Sequence, residues 1–193
     1  MLRRGGHGGH GHRTTRGSGL KLRLLIAGAI VLFSLFSYFG QSDQNPITGK
    51  LQRVAMTETE EIALGLQSRA RMAQSHGGVH PNEEYQQIVD QVGLRLVRAL
   101  NQHVQQLEGR TNPYQYEFHL LADDQTINAF ALPGGQCFVT FALFRELANY
   151  DQPTKYGQFL DRLAGVLAHE VGHVISRHGA QRMAKQKLTQ GLV

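Results

Sequence analysis

The chain has 193 residues, enough for one folded domain with appendages. Its 41% apolar and 18% charged side chains exclude a disordered polyampholyte, and its one cysteine, Cys137, excludes an internal disulfide framework. The net charge of +5 resides in a tail: Arg3, Arg4, Arg13, Arg16, Lys21 and Arg23 fall within residues 1–23, which hold no acid, and the other 14 basic and 15 acidic side chains nearly cancel, which argues against a nucleic-acid groove on the folded part.

Residues 5–12 alternate Gly with His7, His10 and His12, so the 1–23 segment is expected to be a disordered, basic Gly/His tail. The three histidines could chelate a metal, but a solvated low-complexity tail is the better reading of the composition. Residues 24–39 are an uncharged apolar run behind Lys21 and Arg23. As a helix they span roughly 24 Å, and Leu20, Leu22 and Gly40 extend them toward the bilayer thickness, with Tyr38 and Phe39 suited to the far interface. A cleaved signal peptide competes, but no Ala-x-Ala site follows, and no cysteine follows closely enough for a lipoprotein. Residues 24–40 are therefore predicted to be an uncleaved transmembrane signal anchor in the lipid bilayer. The basic tail then stays cytoplasmic, and the rest is delivered across the inner membrane, into the periplasm if the source is a bacterium.

Residues 41–56 read as a linker, with Pro46 and Gly49 among polar residues. Thr57-Glu58-Thr59-Glu60 is a capping box, predicting a helix from 58 to about 74. Pro81-Asn82-Glu83-Glu84 opens a second helix, whose apolar face is Tyr85, Ile88, Val89, Val92, Leu96, Val97 and Leu100. Residues 114–121 alternate as a half-buried strand. Residues 128–132 and 136–140 read as two strands around a Pro133-Gly134-Gly135 turn, followed by a short helix over 141–149 and one long helix from about 157 to 185. Cys137 is expected to be a small core residue. The order helices, strands, helices is an α+β pattern over residues 57–193.

The last helix carries His169-Glu170-Val171-Gly172-His173. Histidines at i and i+4 project from one helix face, so both imidazoles can reach one metal ion, and zinc accepts neutral imidazole nitrogen. Glu170 stands where it can take a proton from a metal-activated water. The apolar neighbours Leu163, Val166, Leu167, Val171, Val174 and Ile175 predict a largely buried helix and a buried histidine pair. The metzincin spacing fails, since it needs Gly at position 176 and His at 179, where the chain has Ser176 and Gly179. On a continuous helix His178 lies about 140° round from His173 and cannot join the pair; a helix C-terminal position or the opposite side is expected for it.

Residues 169–179, His-Glu-Val-Gly-His-Val-Ile-Ser-Arg-His-Gly, resemble the active-site helix of the HtpX and CAAX-prenyl-protease family of membrane-associated zinc metallopeptidases. Residues 128–135, Asn-Ala-Phe-Ala-Leu-Pro-Gly-Gly, resemble that family's strand-turn segment, and Asn45-Pro-Ile-Thr-Gly49 is similar to the start of the soluble domain in its periplasmic LoiP-like and BepA-like branch. The resemblance covers roughly residues 45–193. It implies a zincin-like domain, one zinc ion held by His169 and His173, Glu170 as general base, and misfolded or misassembled envelope and membrane proteins as substrates. It also implies a third ligand, a glutamate in a later helix. No Asp or Glu follows Glu170, so the expectation is a C-terminally truncated domain that binds zinc weakly by itself.

Asn128, Ala129, Phe130 and Ala131 are the candidate substrate-binding residues, because an extended segment near the metal can pair with a peptide backbone; an ordinary hairpin is the even alternative. A non-catalytic, chaperone-like envelope protein that keeps the fold competes with the protease. Glu170 argues against it, since binding alone does not need that residue. A metal-handling role for the His-rich tail is the third reading.

Overall fold

The computed structural model describes residues 23, 26, 28–33, 42–149 and 156–191. Residues 23, 26 and 28–33 are helical, with Ile26, Ile30, Leu32 and Phe33 exposed. Among the described residues no helix is long and apolar enough to cross a membrane. Residues 1–22 and most of the expected anchor lie outside the described residues.

The first correction falls on the expected linker. Strands β1 (Ser42–Gln44) and β2 (Leu51–Arg53) pair antiparallel as a two-stranded ribbon. Asn45 closes it as an Asx turn, its Oδ1 accepting from Ile47 N at 2.9 Å and Thr48 N at 2.7 Å. Three-residue strands carry too little alternation to be read from sequence.

Helix α1 (Glu58–Ser75) begins at the expected capping box: Glu60 N donates to Thr57 Oγ1, and Thr57 N donates to Glu60 Oε2 at 2.7 Å. Helix α2 (Glu83–Glu108) is capped by Asn82, which accepts from Tyr85 N. Strands β3 (Glu117–Leu121), β4 (Ala129–Leu132) and β5 (Gln136–Thr140) form one sheet in the order β3-β5-β4. β3 runs parallel and β4 antiparallel to the central β5, with Glu117 opposite Gln136 and Ala131 opposite Cys137. Helices α3 (Phe141–Asn149), α4 (Tyr156–Ile175) and α5 (His178–Gly191) follow.

β5 is buried on both faces, and its alternation divides the core. Cys137 and Val139 join the larger cluster with Val89, Phe118, Leu163 and Leu167. Phe138 points the other way, to Leu121, Ala73, Met72 and Phe130. Cys137 is wholly enclosed, and burial pushes its thiol up to about 12, so it is a core residue and not a nucleophile. α1 therefore covers one face of the sheet, and α2 with α4 the other. β4 remains an edge strand.

The Pro133-Gly134-Gly135 turn fits closely under α1. Gly134 and Gly135 adopt φ of 83° and 108°, where other residues are strained. A Cβ at Gly65 would fall inside the carbonyl oxygen of Pro133. Gly65→Ala is accordingly expected to destabilise the protein by about 1–3 kcal/mol, the usual cost of overpacking. On an exposed helix the same change gains up to about 1 kcal/mol. Urea unfolding reads the sign, and a stabilised variant would show that the turn is free to move away.

Candidate active site

α4 does not continue to residue 185 as expected. Ser176 N still donates to Gly172 O at 3.0 Å, but Arg177 turns to φ 54°, and α5 starts at His178. Arg177 is the one non-glycine residue at positive φ among the described residues. Such a conformation costs roughly 1–2 kcal/mol without compensation. Compensation comes from burial of the guanidinium among acids. Arg177 Nε donates to Glu61 Oε2 at 3.0 Å, Nη1 reaches Asp43 at 3.0 Å and Glu58 at 2.7 Å, and Nη2 donates to Met56 O at 2.6 Å. Tyr114 Oη donates to the same Glu61 oxygen at 2.7 Å. Burial disfavours the arginine cation, but Glu61, Asp43, Tyr114 and Glu58 outweigh it and raise its pKa. Burial pushes the Glu61 carboxyl up against the opposing pull of Tyr114 and Arg177.

The ribbon closes over the same break. Asn45 Nδ2 donates to Ile175 O at 2.6 Å, Gln52 Nε2 to Ser176 O at 3.1 Å, and Ala55 N to Ala180 O at 3.3 Å. The first two bonds take up carbonyls that the end of α4 leaves unpaired, and the third ties residue 55 to the first turn of α5. Gly179 then lies against Pro133, where a Cβ would come within 2.8 Å of Cγ.

On α4, His169 and His173 point Nε2 atoms at each other across 3.1 Å, with their rings nearly perpendicular. Two nitrogens on one tetrahedral zinc stand about 3.3 Å apart, so the pair fits a shared zinc ion. Among the described residues no cluster of three or more His, Cys, Asp or Glu could hold a metal. The histidines are not buried as expected: His169 is exposed and His173 half-buried, opening onto a cavity of about 390 Å³, while Glu170 is 7% exposed. Of the apolar residues around the motif, Leu163, Leu167, Val171 and Val174 are buried in the core. Burial raises the Glu170 pKa, and His173, His169 and the Ala131 N–H pull it back.

His178 departs furthest from expectation. The break at Arg177 redirects it, and its Nδ1 lies 2.6 Å from His173 Nδ1. It sits at the start of α5 rather than at a helix C-terminus. Burial, then His173, Arg182 and His169, lower its pKa.

The other wall of the cavity is the edge strand. Ala129, Phe130 and Ala131 line it with Leu132 and Pro133. Asn128 is not among the lining residues: its carbonyl accepts from Thr140 N and Thr140 Oγ1, both at 3.0 Å, on the β5 side. Glu61, Arg177 and Arg182 also border the cavity and were not singled out in the sequence. An acid beside a capping box reads as a first-turn residue, and nothing local marks an arginine for positive φ.

Residues 83–193 match the model of peptidase family M48. The mitochondrial metalloendopeptidase OMA1 of Saccharomyces cerevisiae is 25% identical over 167 residues, which cover 85% of this chain and 44% of that protein. The β-barrel assembly-enhancing protease of Yersinia pestis is 38% identical over 101 residues, 52% of this chain and 17% of the relative, and that of Escherichia coli K12 is 35% identical over the same length. The chain spans less than half the length of these curated relatives. It belongs to peptidase family M48.

Proposed function

We propose that this chain is the zinc-binding part of a membrane-anchored endopeptidase that hydrolyses peptide bonds in misfolded or misassembled envelope and membrane proteins. The observation that carries this reading is the convergence of two Nε2 atoms beside a buried carboxylate, facing an edge strand across a cavity. His169 and His173 hold zinc through Nε2. Bound there, zinc supplies Lewis acidity toward a peptide carbonyl and toward water. Glu170 accepts a proton from the attacking water at its carboxylate and delivers it to the departing amine nitrogen. Its raised proton affinity suits a group that must hold a proton between those two steps.

β4 presents Ala129, Phe130 and Ala131 to an extended peptide, with Asn128 at the upstream end of the strand. Strand addition reads backbone more than side chains, which suits substrates defined by exposed chain rather than by sequence. Similarity to a mitochondrial metalloendopeptidase and to β-barrel assembly-enhancing proteases supports a role close to membranes. In this reading residues 1–23 stay cytoplasmic, 24–40 anchor the chain in the inner membrane, and the domain over 57–193 works in the periplasm.

Metal analysis with chelator competition tests the assignment. The protein is expected to bind one zinc, and His169→Ala and His173→Ala each to weaken it by about 100-fold or more, beyond what loss of a supporting partner costs. Deletion of residues 1–23 is expected to leave zinc unchanged. Zinc lost on that deletion but kept by both histidine variants would move the metal to the tail and end this reading.

A further inference from the structure

We propose that His178 is a positioning residue of the zinc site: it accepts a hydrogen bond from His173 Nδ1 and so fixes the tautomer and ring orientation in which His173 turns Nε2 to the metal. The inference rests on the zinc assignment above and adds a residue to it.

The geometry separates support from ligation. The two nitrogens of an imidazole lie on different edges of the ring. His173 meets His169 through Nε2 at 3.1 Å and His178 through Nδ1 at 2.6 Å. His178 is therefore on the far edge of His173 from the point that the two Nε2 atoms share, and its ring stands 4.8 Å away at 63°. A neutral histidine that ligates through Nε2 carries its proton on Nδ1 and needs an acceptor for it. Among the described residues His178 Nδ1 is the hydrogen-bond partner of that nitrogen. Its own Nδ1 then carries the lone pair, and its proton sits on Nε2.

The position of His178 is held by the fold and does not follow from helix periodicity. Five residues after His173 a continuous helix would point it about 140° away. The positive φ of Arg177 undoes that, and the buried contacts of its guanidinium with Glu61 and Met56 hold the turn. A strained residue kept by distant partners, directly before a side chain that touches the motif, is what a built support requires.

The test uses the full chain with zinc and a chromophoric chelator, and cobalt(II) as a spectroscopic substitute. His178→Ala is expected to bind zinc about 10–100-fold more weakly and to shift the cobalt visible bands, with the far-UV spectrum kept. His178→Gln retains an acceptor oxygen and is expected to recover most of the affinity and the bands. Wild-type affinity in His178→Ala, or equal loss in both variants, overturns the positioning role while leaving zinc at His169 and His173 intact. A wild-type protein that binds no zinc overturns both assignments.

Discussion

Glu170→Gln is expected to lower kcat/KM for casein by about 10²–10⁴-fold, the range that a positioned proton-transfer group contributes, while zinc stays bound. Glutamine keeps the shape of the side chain and removes its capacity to accept a proton, so the loss reports chemistry and not packing. Hydrolysis above background by the protein extended past residue 193 and by its variant, side by side, measures it, and equal rates would remove Glu170 from the proposed mechanism. The metal-free protein gives a second readout. Burial raises the folded pKa of Glu170, so ionisation is disfavoured in the folded state. Its contribution to stability is full below the unfolded pKa and is lost as pH rises through the folded pKa. The glutamine variant lacks that loss and should melt higher than the wild type at neutral pH.

Arg177→Met is expected to cost about 3–5 kcal/mol, the penalty for leaving a buried charge without its partner. The stranded group is Glu61, 2% exposed and otherwise held by Tyr114. Asp43, with its side chain 49% exposed, and Glu58 recover water when the guanidinium leaves, so their share of the loss is small. Denaturant unfolding measures the loss, and the double variant Arg177→Met with Glu61→Leu should regain most of it, because the pair can be replaced where a single charge cannot be left. A single variant within about 0.5 kcal/mol of wild type, the scatter of ordinary surface changes, would show that the buried cluster does not hold the break.

The parts of the fold that were legible are those whose cause is local. Thr57 with Glu60, Asn82 ahead of α2, and the two glycines after Pro133 each settle a boundary through contacts within a few residues. The histidine pair was legible because i and i+4 spacing alone puts His169 and His173 together. The end of α4 was not, because Arg177 is an ordinary helix former whose left-handed turn is imposed by Glu61 and Asp43, 116 and 134 residues away. The misplacement of His178 follows from that one error, since its angle was measured on a helix that does not exist. The exposure of His169 was misjudged for another reason: apolar neighbours reveal that a helix has a buried face, and not which of its polar residues lies on the other.

The ribbon bears on the order of events during synthesis. Asp43, Asn45 and Gln52 leave the ribosome more than 120 residues ahead of the carbonyls and the guanidinium they hold. At 5–20 residues per second that interval is roughly 6–27 s. Through it the nascent ribbon has no partner, and the turn that sets His178 beside His173 cannot be held. The local pair, His169 and His173, can form as soon as α4 does, but its support waits for closure of the two ends of the chain. Such long-range pairings are slow to form, so the candidate site is among the last features of the domain to reach its final shape.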